Sequence, residues 1–281
     1  MMTARKGTFD FAGLTGEVYY CPQSLANVVL SPLTADRFEE RLVKGFGKRY
    51  ITFYEGRNGL YHVLAFLHKN FGSQRVFVPD PICWPVILAA KTSGLTIVRY
   101  NEKPAGMRKG DVLVTIDSDL TPPPGTFSIQ DNAKNPVKPS SRFDFTLYSF
   151  AEGKPLSSGG GGLVIVNNEN FESFLDLREK LVRPSLETEL KRYERYLFWK
   201  LKSYRLVRKY GRMLRHAIKG DYVGKGTMDN IDCSMCSFAR KLAAVNIDTE
   251  DKVYVLGKNK RSEYGSSLDL MRKENAERGV D

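Results

Sequence analysis

Between residues 49 and 166, short apolar runs of strand length alternate with stretches whose apolar residues recur at helical spacing, which leaves the chain few ways to fold. The strand-like runs are 49–54, 76–78, 96–100, 111–116, 126–129, 143–150 and 163–166. Between them, Leu60, Val63, Leu64 and Leu67 follow a helical period, and a second helical stretch runs from about 85 to 93 before Gly94. Strands that alternate with helices in this way pack as layers. The pattern therefore predicts an α/β layer fold with a mostly parallel sheet, whose ligands bind at the carboxyl ends of the strands.

From residue 171 onward the sequence turns helical, with Leu190, Tyr193, Leu197, Leu201, Tyr204 and Val207 as an apolar stripe. Residues 191–219 hold eleven cations against the single acid Glu194, which is nearly all of the chain's net charge of +11. The protein is thus a near-neutral globule carrying one basic segment, and no nucleic-acid-binding motif accompanies it. We expect two regions, an α/β domain over 1–175 and a basic helical region over 176–281. One reading of the basic segment is a pair of helices packing their aromatic stripe on the domain. The other is an anionic membrane surface bound through 190–219, because Tyr193, Phe198, Trp199 and Tyr204 lie among the cations.

No run approaches the roughly 18 unbroken apolar residues of a membrane span. The first residues have no signal-peptide pattern, so a cytoplasmic protein, at most peripheral to a membrane, is expected. Cys233 and Cys236 form one C-x-x-C pair, but a structural zinc site wants a second pair or nearby histidines, and His62, His68 and His216 are scattered. No metal site is expected, and these cysteines read as buried thiols.

Four features follow strand ends in order. The turn Gly56-Arg57-Asn58-Gly59 opens a helix, where free amides and the helix dipole favour a phosphate. Trp84 comes after the strand 76–78 and offers a flat face, though it also suits a core. Asp131 follows the strand 126–129 and places a carboxylate there, a position that also suits a turn. Lys154 follows the strand 143–150 and precedes Gly159–Gly162, a run that lets backbone approach closely. An amine, an anion, an aromatic face and a phosphate cradle are the groups that pyridoxal 5'-phosphate requires.

The run from Tyr148 through Ser149 and Lys154 to Gly162, followed by Leu-Val-Ile-Val-Asn-Asn, resembles the cofactor-lysine segment of the DegT/DnrJ/EryC1/StrS family of sugar aminotransferases. The segment Ile129-Gln-Asp-Asn-Ala133 resembles the one bearing that family's pyridine-nitrogen aspartate. Residues 55–60 stand where the family has its phosphate turn, and 78–84 where it has its stacking aromatic. The resemblance covers about 49–181. It implies the large domain of a fold-type-I pyridoxal-phosphate transferase and a homodimer with active sites at the subunit interface. It also implies a sugar nucleotide and an amino donor as ligands, as in polysaccharide biosynthesis. On that resemblance Lys154 is the Schiff-base lysine and Asp131 holds the ring nitrogen. Trp84 covers the ring, and Gly56, Arg57, Asn58 and Ser149 surround the phosphate. A branch that dehydrates sugars has histidine in place of this lysine, so Lys154 points to amino transfer.

The sequence departs from the family at several points. Lys134 stands where glutamine or histidine is usual, and Arg57 and Asn58 replace smaller residues. The stretch 100–131 is shortened by a helix, and a C-terminal small domain is expected to be missing. The competing expectation is a non-catalytic relative that binds a partner or membrane surface through its basic helices.

Overall fold

The computed structural model describes residues 8–11, 14–17, 25–33, 35–116, 119–134, 139–151, 154, 158–202, 228 and 230–247. A hairpin of β1 (Thr8–Phe11) and β2 (Leu14–Glu17) precedes α1 (Leu25–Leu30) and α2 (Phe38–Phe46). Then come β3 (Tyr50–Phe53), α3 (Gly56–Phe71), β4 (Arg75–Pro79), α4 (Trp84–Thr92), β5 (Thr96–Tyr100), β6 (Val112–Thr115), β7 (Phe127–Asp131), β8 (Phe145–Ser149) and β9 (Gly162–Val166). A 3-10 stretch, Glu169–Asp176, leads into α5 (Leu177–Lys180), α6 (Leu186–Lys202) and α7 (Ser237–Ile247).

The seven strands β3 to β9 form one sheet in the order β3-β9-β8-β7-β6-β4-β5. Only β9 runs against its neighbours; β5, β4, β6, β7 and β8 pair in parallel. The expected α/β layer fold is therefore present. Asp131 is the last residue of β7, where its main chain still pairs with Leu147.

The sheet is apolar on both sides. On one face Val76, Val78, Val112, Val114, Ile129, Phe145 and Leu147 pack under α3, α4 and the 3-10 stretch, which contributes Phe171 and Phe174. Leu60, Val63, Leu64 and Leu67 of α3 are all within 1% of full burial, and each such side chain contributes about 1.5–3 kcal/mol. Gly72, at φ 70°, ends α3 in the left-handed conformation. On the other face Tyr50, Tyr148, Leu163 and Ile165 pack with Phe38 and Leu42 of α2, Tyr196 of α6, and Phe238 and Leu242 of α7. Farther along that face, Thr115, Gln130 and Thr146 are buried side by side in register. No helix lies between β5 and β7 among the described residues, in keeping with the short stretch read there.

The basic segment is helical as expected over Leu186–Lys202, but a different face is buried. Arg192, Tyr196 and Lys200 are 7%, 1% and 7% exposed, whereas Leu190 and Leu201 of the expected stripe are 51% and 36% exposed. Tyr193 and Leu197 are partly buried, Tyr193 edge-on to Phe238. The reason lies across the interface, where Gly159 and Gly160 leave room for the Tyr196 ring and the Arg192 guanidinium of α6. Residues 203–219, which carry the rest of the basic segment, lie outside the described residues, as does the side chain of Trp199. Cys83, Cys233 and Cys236 are free thiols, and burial pushes Cys236 up to about 12.

Candidate functional site

Four neighbouring elements converge at the carboxyl ends of the strands. The chain leaves β3 through Tyr54 and Glu55 and enters α3 at Gly56, so the first turn of α3 sits directly over β8 and β9. Closeness of backbone makes this possible. A Cβ on Gly56 would lie 3.0 Å from the Ser149 Cβ and 3.1 Å from its Oγ. A Cβ on Gly162 would lie 2.6 Å from the Gly56 Cα and 2.7 Å from the Glu55 carbonyl oxygen. Ser149 thus stands against the helix start, where amides without helical acceptors attract anions.

Lys154 sits in the loop that follows β8. The base of this loop is closed, since Ser158 and Gly160 both donate to the Phe150 carbonyl at 3.0 Å and Phe150 donates to Gly161 at 2.9 Å. The Lys154 ammonium and the Asp131 carboxylate are close enough to act on one another, and both act on the Cys83 thiol at the start of α4. Burial holds the Asp131 carboxyl above the ordinary carboxylate range, opposed by an N–H from Ala133 at 2.9 Å and by the Lys154 and Lys134 cations. Burial likewise raises the Cys83 thiol, with Lys154 opposing and Asp131 reinforcing the shift.

Trp84 opens α4, half-buried, with the Arg57 guanidinium 5.9 Å from its ring centre. Asn58 faces elsewhere: fully buried, it donates to the Asn230 carbonyl at 2.8 Å and so ties α3 to the segment before α7. His62, one turn later, meets the Ile231 carbonyl at 2.8 Å on the same segment. The structure therefore brings Asp131 and Lys154 together, and separately Gly56, Arg57, Ser149 and Trp84 around the start of α3.

Sequence reading passed over three residues here. Cys83 lies in the 78–84 segment without being singled out there. Glu55 had no visible partner, although it stands at the head of the glycine turn. Arg192 was one cation among eleven, yet it donates to the Tyr54 carbonyl at 3.0 Å and to Glu55 Oε1 at 2.6 Å, and lies 3.8 Å from the Tyr54 ring centre.

No protein-family model matches the chain, and no curated protein matches its sequence. Solved structures match its fold. PseC of Helicobacter pylori, an aminotransferase involved in the biosynthesis of pseudoaminic acid, aligns over 83% of this chain and 64% of its own at 12% identity, with a TM-score of 0.52. AtS13 from Actinomadura melliaura aligns over 82% and 66% at 15% identity, with a TM-score of 0.50. The fold is that of the fold-type-I pyridoxal-phosphate enzymes. ColD, a GDP-4-keto-6-deoxymannose-3-dehydratase determined with bound GDP-perosamine, also aligns at a TM-score of 0.50, over 81% and 66% with 9% identity. The chain spans slightly less than two thirds of the length of each of these proteins.

The raised Asp131 pKa makes a prediction that needs no ligand. A carboxyl held above its ordinary value of about 3.9 stabilises the fold fully below that pH, and the contribution is lost as pH rises through the folded value. Asp131→Asn keeps an oxygen for the Ala133 N–H and cannot ionise. The variant should melt higher than the wild type at pH 7 in the absence of ligand, with the difference vanishing below about pH 4. Thermal melts across that range check it, and a variant that melts lower at neutral pH contradicts it.

Proposed function

We propose that this protein is a pyridoxal-phosphate-dependent aminotransferase of the DegT/DnrJ/EryC1/StrS kind, acting on a nucleotide-linked keto sugar with an amino donor such as glutamate, and working as a homodimer. The observation that carries the proposal is the buried Asp131 coupled to Lys154 at adjacent strand ends, in a fold shared with PseC.

The residues present suit the cofactor. Ser149 and the start of α3, with Arg57 beside them, would hold its phosphate. Asp131 would face the ring nitrogen, and Trp84 one face of the ring. Lys154 would carry the cofactor. When bound, pyridoxal phosphate supplies an electron sink for the bonds around the reacting carbon.

The protein's own contribution follows from its geometry. Asp131, poorly solvated, gains from a positively charged partner and would keep a proton on the ring nitrogen. The amine of Lys154, held on a loop with a closed base, would take a proton from the substrate carbon and return one to complete the transfer. Burial of Asp131 keeps water from its carboxylate and strengthens each charge interaction there. The packing of Arg192, Tyr196 and Lys200 against the domain supports a structural role for the basic helix as far as residue 202.

Addition of pyridoxal phosphate to the purified protein should give visible absorbance, and glutamate should shift it. Absence of colour at saturating cofactor overturns the proposal and favours the non-catalytic reading.

A further inference from the structure

Resting on that function, we propose that Glu55 and Arg192 are positioning residues that hold Arg57 as the phosphate-selecting cation of the site. Glu55 stands between two arginines. Its Oε1 accepts from Arg192 Nη2 at 2.6 Å, and its Oε2 pairs with Arg57 Nε at 2.5 Å. Arg192 is fixed on every side, by the Tyr54 carbonyl, by the Tyr54 ring, and by Gly160, where a Cβ would lie 1.7 Å from its Nη1.

Arg57 is held differently. It is 17% exposed, and its inner guanidinium nitrogen is ion-paired with Glu55 without the geometry of a hydrogen bond. Its outer nitrogens meet no acceptor among the described residues, and the group lies between Glu55 and Trp84 at the first turn of α3. Half-buried donors of this kind call for an anion, and a phosphate monoester fits a guanidinium beside a helix start.

Charge explains why three residues are needed. Glu55 fixes the direction of Arg57 as a charged partner that glutamine does not replace, and Arg192 offsets the negative charge that Glu55 brings. Arg192 reaches one carboxylate oxygen through Nη2 while its Nη1 is held by the Tyr54 carbonyl, a pair of contacts that a lysine does not reproduce, so the trio carries a net positive charge facing the site. The helix α6, distant in sequence, thereby sets how strongly the turn at Gly56 prefers a phosphate.

The test compares pyridoxal 5'-phosphate with pyridoxal, which lacks the phosphate, by equilibrium titration followed in the visible. Wild type should prefer the phosphate ester. In Arg192→Met and in Glu55→Gln that preference should fall about tenfold or more, as in Arg57→Met, with pyridoxal affinity unchanged. If both variants bind pyridoxal and its phosphate with the wild-type ratio, or lose both equally, the relay is wrong although the cofactor assignment stands. A wild type that binds neither compound removes the relay and the proposed function together. Should Arg192→Met fail to fold, Glu55→Gln decides alone.

Discussion

Replacing Lys154 by alanine is expected to lower amine transfer from glutamate by about a thousandfold or more, while pyridoxal phosphate still binds without a covalent attachment. Two losses combine in this variant, since one amine would both carry the cofactor and move the proton. Asp131, Ser149 and the start of α3 remain, so affinity falls much less than rate. Lys134 is the informative control, because it too acts on Asp131 and Cys83. It follows Asp131 in the same turn, whereas Lys154 arrives from β8 on the closed loop. Lys134→Ala should keep most of the rate. Stopped-flow absorbance with glutamate separates the cases, and a Lys154→Ala protein that turns over normally contradicts the assignment.

The second large effect concerns stability. Gly162→Ala should cost about 3 kcal/mol or more, because the added methyl meets main chain and not the end of a flexible side chain. The Gly56 Cα and nitrogen and the Glu55 oxygen lie within 2.7 Å of its position. Relief requires lifting α3 from β9, which would break the packing of Gly59 on Val164 and Phe53 as well. The same shift would displace the turn that faces Ser149, so phosphate binding should weaken along with the fold. Urea denaturation measures the first effect and cofactor titration the second. A variant as stable as wild type would mean that the helix start can move freely.

The strands and α3 were legible because their information is local. Leu60, Val63, Leu64 and Leu67 repeat at a period that only a helix places on one face, and the alternation of such stretches with strand-length apolar runs gave the layers. Asp131 and Lys154 were legible as strand-end residues. The coupling of Glu55 with Arg192 was not, because the two lie 137 residues apart and nothing near either one announces the other. The face of α6 was misjudged for a related reason. Counting apolar residues favours Leu190 and Leu201, but the partner surface is the glycine run, whose empty volume suits Arg192 and Tyr196. Asn58 shows the same limit. Its side-chain amide reaches the Asn230 carbonyl 172 residues away, a contact that nothing near it in the sequence announces.

The central claim is that one amine, placed by β8 against the carboxylate that ends β7, carries the cofactor. Borohydride reduction of the protein loaded with pyridoxal phosphate, followed by proteolysis and peptide mapping, addresses it directly. The expected result is a single phosphopyridoxyl label on Lys154. A label on Lys134 or any other lysine, or none at saturating cofactor, would contradict it.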